Sequence, residues 1–150
     1  MINLLVYLIV GYLMANIFFI ISVPLHELGH YLFLYFVGAR MDNLEVTYLD
    51  LDGIFMFSAR GSVNTDTRGF QLPKRLAPYK KTVAFILGFS GGLFSSCSTL
   101  FLLGIISYQL GGLTGYIALT VTVLIEFFYG IWEAFQFVTP EKLMTIHCVL

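Results

Sequence analysis

The stretch Ile20-Ile21-Ser22-Val23-Pro24-Leu25-His26-Glu27-Leu28-Gly29-His30 places two histidines and a glutamate inside a long apolar run. From Ile2 to Gly38 there is no Lys, Arg or Asp. The two histidines and the glutamate are the ionisable side chains of this run besides tyrosines. A bilayer core takes about 20 apolar helical residues, and no polar turn divides the run. The run therefore predicts one long membrane span, in which Pro24 removes a helical hydrogen bond just before the polar group.

The composition of the whole chain is that of a membrane protein. Of its 150 residues, 58% are hydrophobic and 11% charged, whereas soluble domains carry about a quarter charged residues. The net charge of −1 provides no field that would attract nucleic acid. All basic residues except Lys142 lie between Arg40 and Lys81, so the positive-inside rule predicts that this segment faces the cytoplasm.

Residues 82–110 and 113–138 predict a second and a third apolar span, separated by Gly111-Gly112. Together with a first span over about 2–38, they predict an all-α integral membrane protein with three transmembrane helices, built as a single domain over 1–150. Three spans place the N-terminus outside and the C-terminus in the cytoplasm. The N-terminal run has no positively charged leader and is too long for a signal peptide, so we expect it to stay on the mature protein.

The 39–81 segment predicts a small β-hairpin on the cytoplasmic side. Two strand-like runs, Asn43 to Leu49 and Gly53 to Ser58, are joined through Asp50-Leu51-Asp52-Gly53, and an Asp-Gly pair is a hairpin signal. We expect the hairpin to lie against the membrane face and 61–81 to form a loop. After the third span, Thr139-Pro140-Glu141 is typical of a helix N-terminus and predicts a short cytoplasmic helix.

The group His26-Glu27-Leu28-Gly29-His30 has the spacing of a metal site. Histidines four residues apart share one helix face and can reach the same ion, and Glu27 can then hold and deprotonate a water. Zinc suits imidazole and carboxylate ligands and activates both water and a carbonyl group. An HExxH match on a soluble helix is often accidental, but at membrane depth such polar side chains are costly unless they are paired or liganded.

A catalytic zinc site needs a third protein ligand, and the third span offers Glu126 and Glu133. They are two helical turns apart and face nearly the same way. His26 precedes Arg40 by as many residues as Glu126 precedes Pro140, so matched depth gives Glu126 a slight preference. Gly130 beside Glu133 would instead permit close helix approach there. Both stay candidates, and Asp50 and Asp52 of the hairpin are next in line.

The sequence indicates only general roles for the remaining glycines, serines, histidine and cysteines outside the motif. In the second span, Gly88 and Gly92 form a small-xxx-small pair that allows close helix packing, and Ser90 could donate a hydrogen bond near the site. His147 is expected to be an ordinary exposed histidine. The spacing of Cys97 and Cys148 fits neither a disulfide framework nor a metal knuckle.

The sequence around the motif resembles the site-2 protease group of intramembrane zinc metalloproteases, peptidase family M50. The resemblance is carried by Ile20 to His30, by Val37-Gly38-Ala39-Arg40 with the strand Leu44 to Tyr48, and by the glycine cluster Gly88 to Gly92. It implies zinc inside a three-helix core, His26 and His30 as ligands, Glu27 as catalytic base, and transmembrane protein substrates cut near the cytoplasmic side.

The chain departs from the family at the third ligand. The usual Asn-Pro segment ending in Leu-Asp-Gly is missing from the last span, and Leu51-Asp52-Gly53 lies between the first two spans instead. Two functions of different classes follow: a protease cutting in or near a membrane span, and a non-proteolytic zinc-binding membrane subunit that packs against a partner span. Glu27 favours the first. Metal transport is disfavoured because no ladder of ligands crosses the membrane.

Overall fold

The structure is a computed structural model that describes residues 2–39, 44–51, 59–65 and 71–149. Two long helical segments dominate it, α1 over Ile2–Val37 and α2 over Lys80–Phe137. α2 is in fact two helices joined at Gly112, whose φ of 53° and ψ of −133° suit glycine. We call these parts the first arm (80–111) and the second arm (113–137).

In the part of the chain that the structure describes, three helical segments are long and apolar enough to cross a membrane by length and composition: Leu4–Val37, Lys74–Gln109 and Gly111–Phe137. The prediction of three long apolar helices is therefore confirmed. α1 continues through Pro24 without interruption. The first helix ends close to the predicted residue, and Gly111-Gly112 lies at the junction of the two arms as expected.

A glycine in the left-handed region ends α1. Gly38 has a φ of 74°. Its amide donates to the carbonyl oxygen of Tyr35, and the amide of Ala39 donates to that of Leu34. This pair of bonds is the Schellman motif, which satisfies the last carbonyls of a helix and turns the chain away from its axis.

The small strand pair predicted for the 39–81 segment is present. β1 (Leu44–Leu51) pairs antiparallel with β2 (Ala59–Thr65), and both strands contact α1. The first predicted strand is confirmed. The second predicted strand, Gly53 to Ser58, lies outside the described residues, and the observed partner of β1 covers Ala59–Thr65. β2 is polar and contains Gly61, so its pairing with β1 rather than its own β propensity selects it.

The end of the 39–81 segment contains more order than the expected loop. β3 (Gln71–Pro73) pairs parallel with β4 (His147–Val149), and a 3-10 helix covers Lys74–Tyr79. The predicted short helix after the third span is confirmed as α3 (Pro140–Thr145), preceded by Thr139 in extended conformation. The β3–β4 pair holds the chain before α2 and the C-terminal tail at the same end of the helices.

Two apolar clusters fill the interior at different levels. The clasp cluster joins the β3–β4 end to the helices and consists of Leu34, Leu72, Val83, Ala84, Leu87 and Ile146. The turn-side cluster lies nearer to Gly112 and consists of Ala15, Phe18, Leu103, Ala118 and Leu119. On α1 the motif 26–30 falls between Phe18 and Leu34, so the polar group is enclosed above and below by apolar side chains.

Glycines bring the helices into close contact at the level of the motif. A Cβ atom on Gly29 would lie 2.6 Å from the carbonyl oxygen of Ser90, and one on Gly88 would lie 2.7 Å from the Cα of Ala134. A Cβ on Gly92 would lie 2.5 Å from the Cα of Gly130. This seam fits the expected small-xxx-small pair, and it lets side chains from all three helices reach one another.

Candidate metal centre

The two motif histidines lie side by side in the interior. His26 and His30 are one turn apart on α1, with ring centroids 4.9 Å apart, and both are at most 6% exposed. The ring of Tyr129 lies 5.5 Å from that of His26, and the ring of Phe137 lies 5.9 Å from that of His30. The helical spacing thus places both imidazoles on one face, in apolar surroundings.

A backbone carbonyl fixes the tautomer of His30. Its Nδ1 lies 2.7 Å from the carbonyl oxygen of Leu87. Because a carbonyl can only accept, Nδ1 carries a proton, so Nε2 is the nitrogen that has the lone pair in the neutral, metal-binding form of His30. Ser90, which we expected near the site, donates to the same carbonyl oxygen at 2.6 Å, with its Oγ 3.4 Å from Nδ1 of His30.

Glu133 of the second arm faces the Nε2 atoms of both histidines. Its Oε2 lies 2.7 Å from Nε2 of His26 and 3.3 Å from Nε2 of His30. The possible ligand atoms of the three residues all lie within 4.8 Å of one another, so this group could hold a metal ion. The side chain of Glu133 is 19% exposed and forms the more open side of the group.

Glu126 lies on the other side of the His26 ring. Its Oε2 is 3.0 Å from Nδ1 of His26. Ser95 donates to the same oxygen at 2.8 Å, and Ser22 donates to Oε1 at 2.7 Å. Glu126 is 3% exposed. Its carboxylate, carried by the second arm, is thus deeply buried and accepts hydrogen bonds from α1 and from the first arm.

The geometry does not favour the slight preference for Glu126 as third ligand that matched depth suggested. Counting residues compares the heights of Cα atoms alone. The count also assumes that Arg40 and Pro140 lie at the same depth. In the structure Gly29 packs on Ser90, and the glycines on either side of Ser90, Gly88 and Gly92, pack on Ala134 and Gly130. These contacts bring Glu133, rather than Glu126, to the level of His30. Glu126 lies two turns nearer to the Gly112 end than Glu133, and it meets Nδ1 of His26, which is not the nitrogen that faces Glu133.

Gly91 of the first arm borders the space between the two histidines. A Cβ atom there would lie 2.6 Å from Nε2 of His26 and 2.6 Å from Nε2 of His30. An ion bonded to both nitrogens at about 2.0–2.1 Å would need nearly the same position. Glycine at this residue therefore keeps the space beside the two lone pairs open.

Glu27, the expected base, follows His26 in α1 and is 8% exposed. The expected exposed histidine of the tail, His147, is exposed. Asp50 lies in β1 and Asp52 outside the described residues. The motif thus identified the histidines, whereas Ser22, Ser95 and Gly91 were not singled out for the site. Ser22 lies one turn before His26, which is the signal that could have pointed to it.

The donor set fits zinc. Two imidazole nitrogens and one carboxylate leave a fourth tetrahedral position open, as in catalytic zinc sites. Around such an ion, neighbouring ligand atoms lie about 3.3 Å apart, which the His30–Glu133 distance already matches and the His26–Glu133 distance approaches. The molecule is thus a three-helix protein of membrane-spanning length with a buried group that could bind a metal. Comparisons with protein-family models, curated proteins and solved structures found no match.

Proposed function

We propose that this chain is an intramembrane zinc metalloprotease that hydrolyses a peptide bond in or near a transmembrane segment of a protein substrate. The observation that carries the proposal is the convergence of His26, His30 and Glu133 in the interior of three apolar helices, with Glu27 beside the first histidine. Three buried or half-buried polar residues there need a ligand or a partner that offsets their desolvation.

Exposed aromatic side chains support membrane insertion, because Tyr and Trp gather at both membrane interfaces. Tyr108 and Tyr116 lie near the Gly112 turn, and their rings are 5.9 Å apart. Tyr35 and Tyr79 lie at the other end and are 63% and 62% exposed. We place the N-terminus outside, and 39–81 and the C-terminus in the cytoplasm, since the basic residues are at the latter end.

The roles of the site residues follow from their chemistry. His26, His30 and Glu133 would hold the zinc ion, since Nε2 of both histidines faces the carboxylate of Glu133. Bound zinc supplies Lewis-acid activation of water and of the scissile carbonyl. Glu27 accepts a proton from the attacking water and passes it to the amide nitrogen as the C–N bond breaks, which yields a new carboxyl group and a new amine.

The test uses the purified full chain in proteoliposomes with a single-span peptide as probe. The peptide carries a donor and quencher pair and a Gly-Pro interruption near the cytoplasmic end of its apolar segment, because such an interruption frees backbone amides from the helix. Cleavage is expected with zinc and is lost after chelation. Glu27→Gln should keep zinc but lose activity by about 100-fold or more, since it removes only the base.

Retained cleavage by Glu27→Gln would overturn the mechanism. The low exposure of Glu27 is the observation that favours the alternative, a non-proteolytic zinc-binding subunit, because structural zinc sites are closed. In that case wild type and Glu27→Gln would bind zinc equally and neither would cleave any of a panel of such peptides.

A further inference from the structure

We propose that Glu126 is a positioning residue that holds the His26 ring through Nδ1, and that Glu126 does not bind the metal. This inference rests on the proposed zinc site and concerns how that site is built. It is carried by the hydrogen bond between Glu126 and Nδ1 of His26, on the ring nitrogen opposite to the one that faces His30 and Glu133.

The contact fixes which nitrogen of His26 can bind zinc. A carboxylate accepts a hydrogen bond from Nδ1–H, so in the neutral imidazole that binds a metal the lone pair is on Nε2, toward the metal position. In His30, Nδ1 donates a hydrogen bond in the same way to the carbonyl oxygen of Leu87. Both histidines therefore have an acceptor behind Nδ1 and present Nε2 to Glu133.

Glu126 is itself held in place. Ser22 comes from α1 and Ser95 from the first arm, and each donates to a different oxygen of the carboxylate. With both oxygens engaged, a move toward the zinc position would break two buried hydrogen bonds as well as the contact with His26. Each broken bond would leave an unsatisfied buried group, which opposes such a move.

The arrangement also balances charge. A Zn²⁺ ion in an apolar interior is stabilised by nearby anions, because the low dielectric constant strengthens their attraction. Glu133 supplies one negative charge as a ligand, and Glu126 supplies a second through the imidazole of His26. Outer carboxylates of this kind raise the basicity of the ligating nitrogen and fix the orientation of its ring.

The test measures zinc affinity of the purified full chain in detergent micelles, by competition with a chromophoric chelator. Glu126→Ala should still bind one zinc ion at saturation, with an affinity about 10- to 100-fold lower. Glu126→Gln keeps an acceptor for Nδ1 and should lose less. The double variant Ser22→Ala/Ser95→Ala retains the carboxylate and should weaken binding by about 2- to 10-fold.

The matched control is Glu133→Gln, which removes the ligand carboxylate. With Co²⁺ in place of zinc, the Glu126 variants should keep the intense visible absorption of a four-coordinate ion, and Glu133→Gln should lose it. Unchanged zinc affinity in Glu126→Ala would overturn the positioning role. If Glu126→Ala does not fold, unchanged zinc affinity in the serine double variant would overturn it. Loss of metal in Glu126→Gln with retention in Glu133→Gln would make Glu126 the ligand. If the wild-type chain bound no zinc in the same assay, the metal site itself would be overturned.

Discussion

Nε2 of His26 lies 2.7 Å from Oε2 of Glu133, although the residues are 107 positions apart in the chain. The contact joins the first long helix to the second arm of α2. Neither helix contains the complete donor set, so the site exists only when the helices are packed together. Metal binding and helix packing should therefore stabilise each other.

Zinc should raise the thermal stability of the protein. At a free zinc concentration of 100 times Kd, the folded state gains about 2.7 kcal/mol when the metal binds it alone. Thermal unfolding of the purified chain in micelles, with zinc and after chelation, measures this difference. His30→Ala removes a donor and should abolish the response, whereas an equal response in that variant would show that zinc acts elsewhere.

Gly91→Ala should lose zinc without losing the fold. The added methyl group would occupy the space between the two Nε2 atoms, where the ion must lie. Gly104→Ala is the matched control on the same arm, because among the described residues no atom lies within 4 Å of its added Cβ. Elemental analysis should find one zinc ion per chain in the control and well below that in Gly91→Ala. Full occupancy in Gly91→Ala would place the ion elsewhere.

Leu72→Ala should destabilise the β3–β4 end. Leu72 is fully buried in the clasp cluster beside Leu34 and Ile146, and removing a buried leucine side chain costs about 2–5 kcal/mol. Denaturant unfolding measures the loss. Met144→Ala in α3, where the side chain is 70% exposed, should change stability little. Equal effects of the two substitutions would contradict the burial of Leu72.

Residues 75 and 142 should be labelled from the same side of the membrane. β3 pairs with β4, so both residues belong to the end that we place in the cytoplasm. Single cysteines at Arg75→Cys and Lys142→Cys, in a background with Cys97→Ser and Cys148→Ser, should react with an impermeant maleimide only when the cytoplasmic face is open. A cysteine at residue 4 should show the opposite access. Labelling of residues 75 and 142 from opposite faces would refute the three-span topology.

Sequence patterns with a strong physical cause were sufficient for much of the fold. Apolar length predicted the helices, Gly111-Gly112 the turn between the arms, and Thr139-Pro140 the start of α3. The short strands β3 and β4 could not be predicted, because three-residue strands have no period to detect. Their pairing depends on the packing of Leu72 and Ile146, which are far apart in sequence.

The candidate site divides in a similar way. His26 and His30 are in one helical turn, so local spacing was enough to bring them together. The choice between Glu126 and Glu133 depends on how the packed helices are aligned in depth and on which imidazole nitrogen each carboxylate meets. Counting residues along the chain reveals neither of these. Ser22 and Ser95 acquire their role only through the packed position of Glu126, and a serine in a span has no distinctive pattern of its own.

X-ray absorption at the zinc edge of the purified wild-type chain measures directly which atoms surround the bound ion. We expect one bound zinc ion with nitrogen and oxygen ligands at about 2.0–2.1 Å. The outer-shell scattering should correspond to two imidazole rings, and it should fall to one in His26→Ala. A sulfur ligand at about 2.3 Å, or a protein that takes up no zinc when the metal is supplied, would contradict the proposed zinc site.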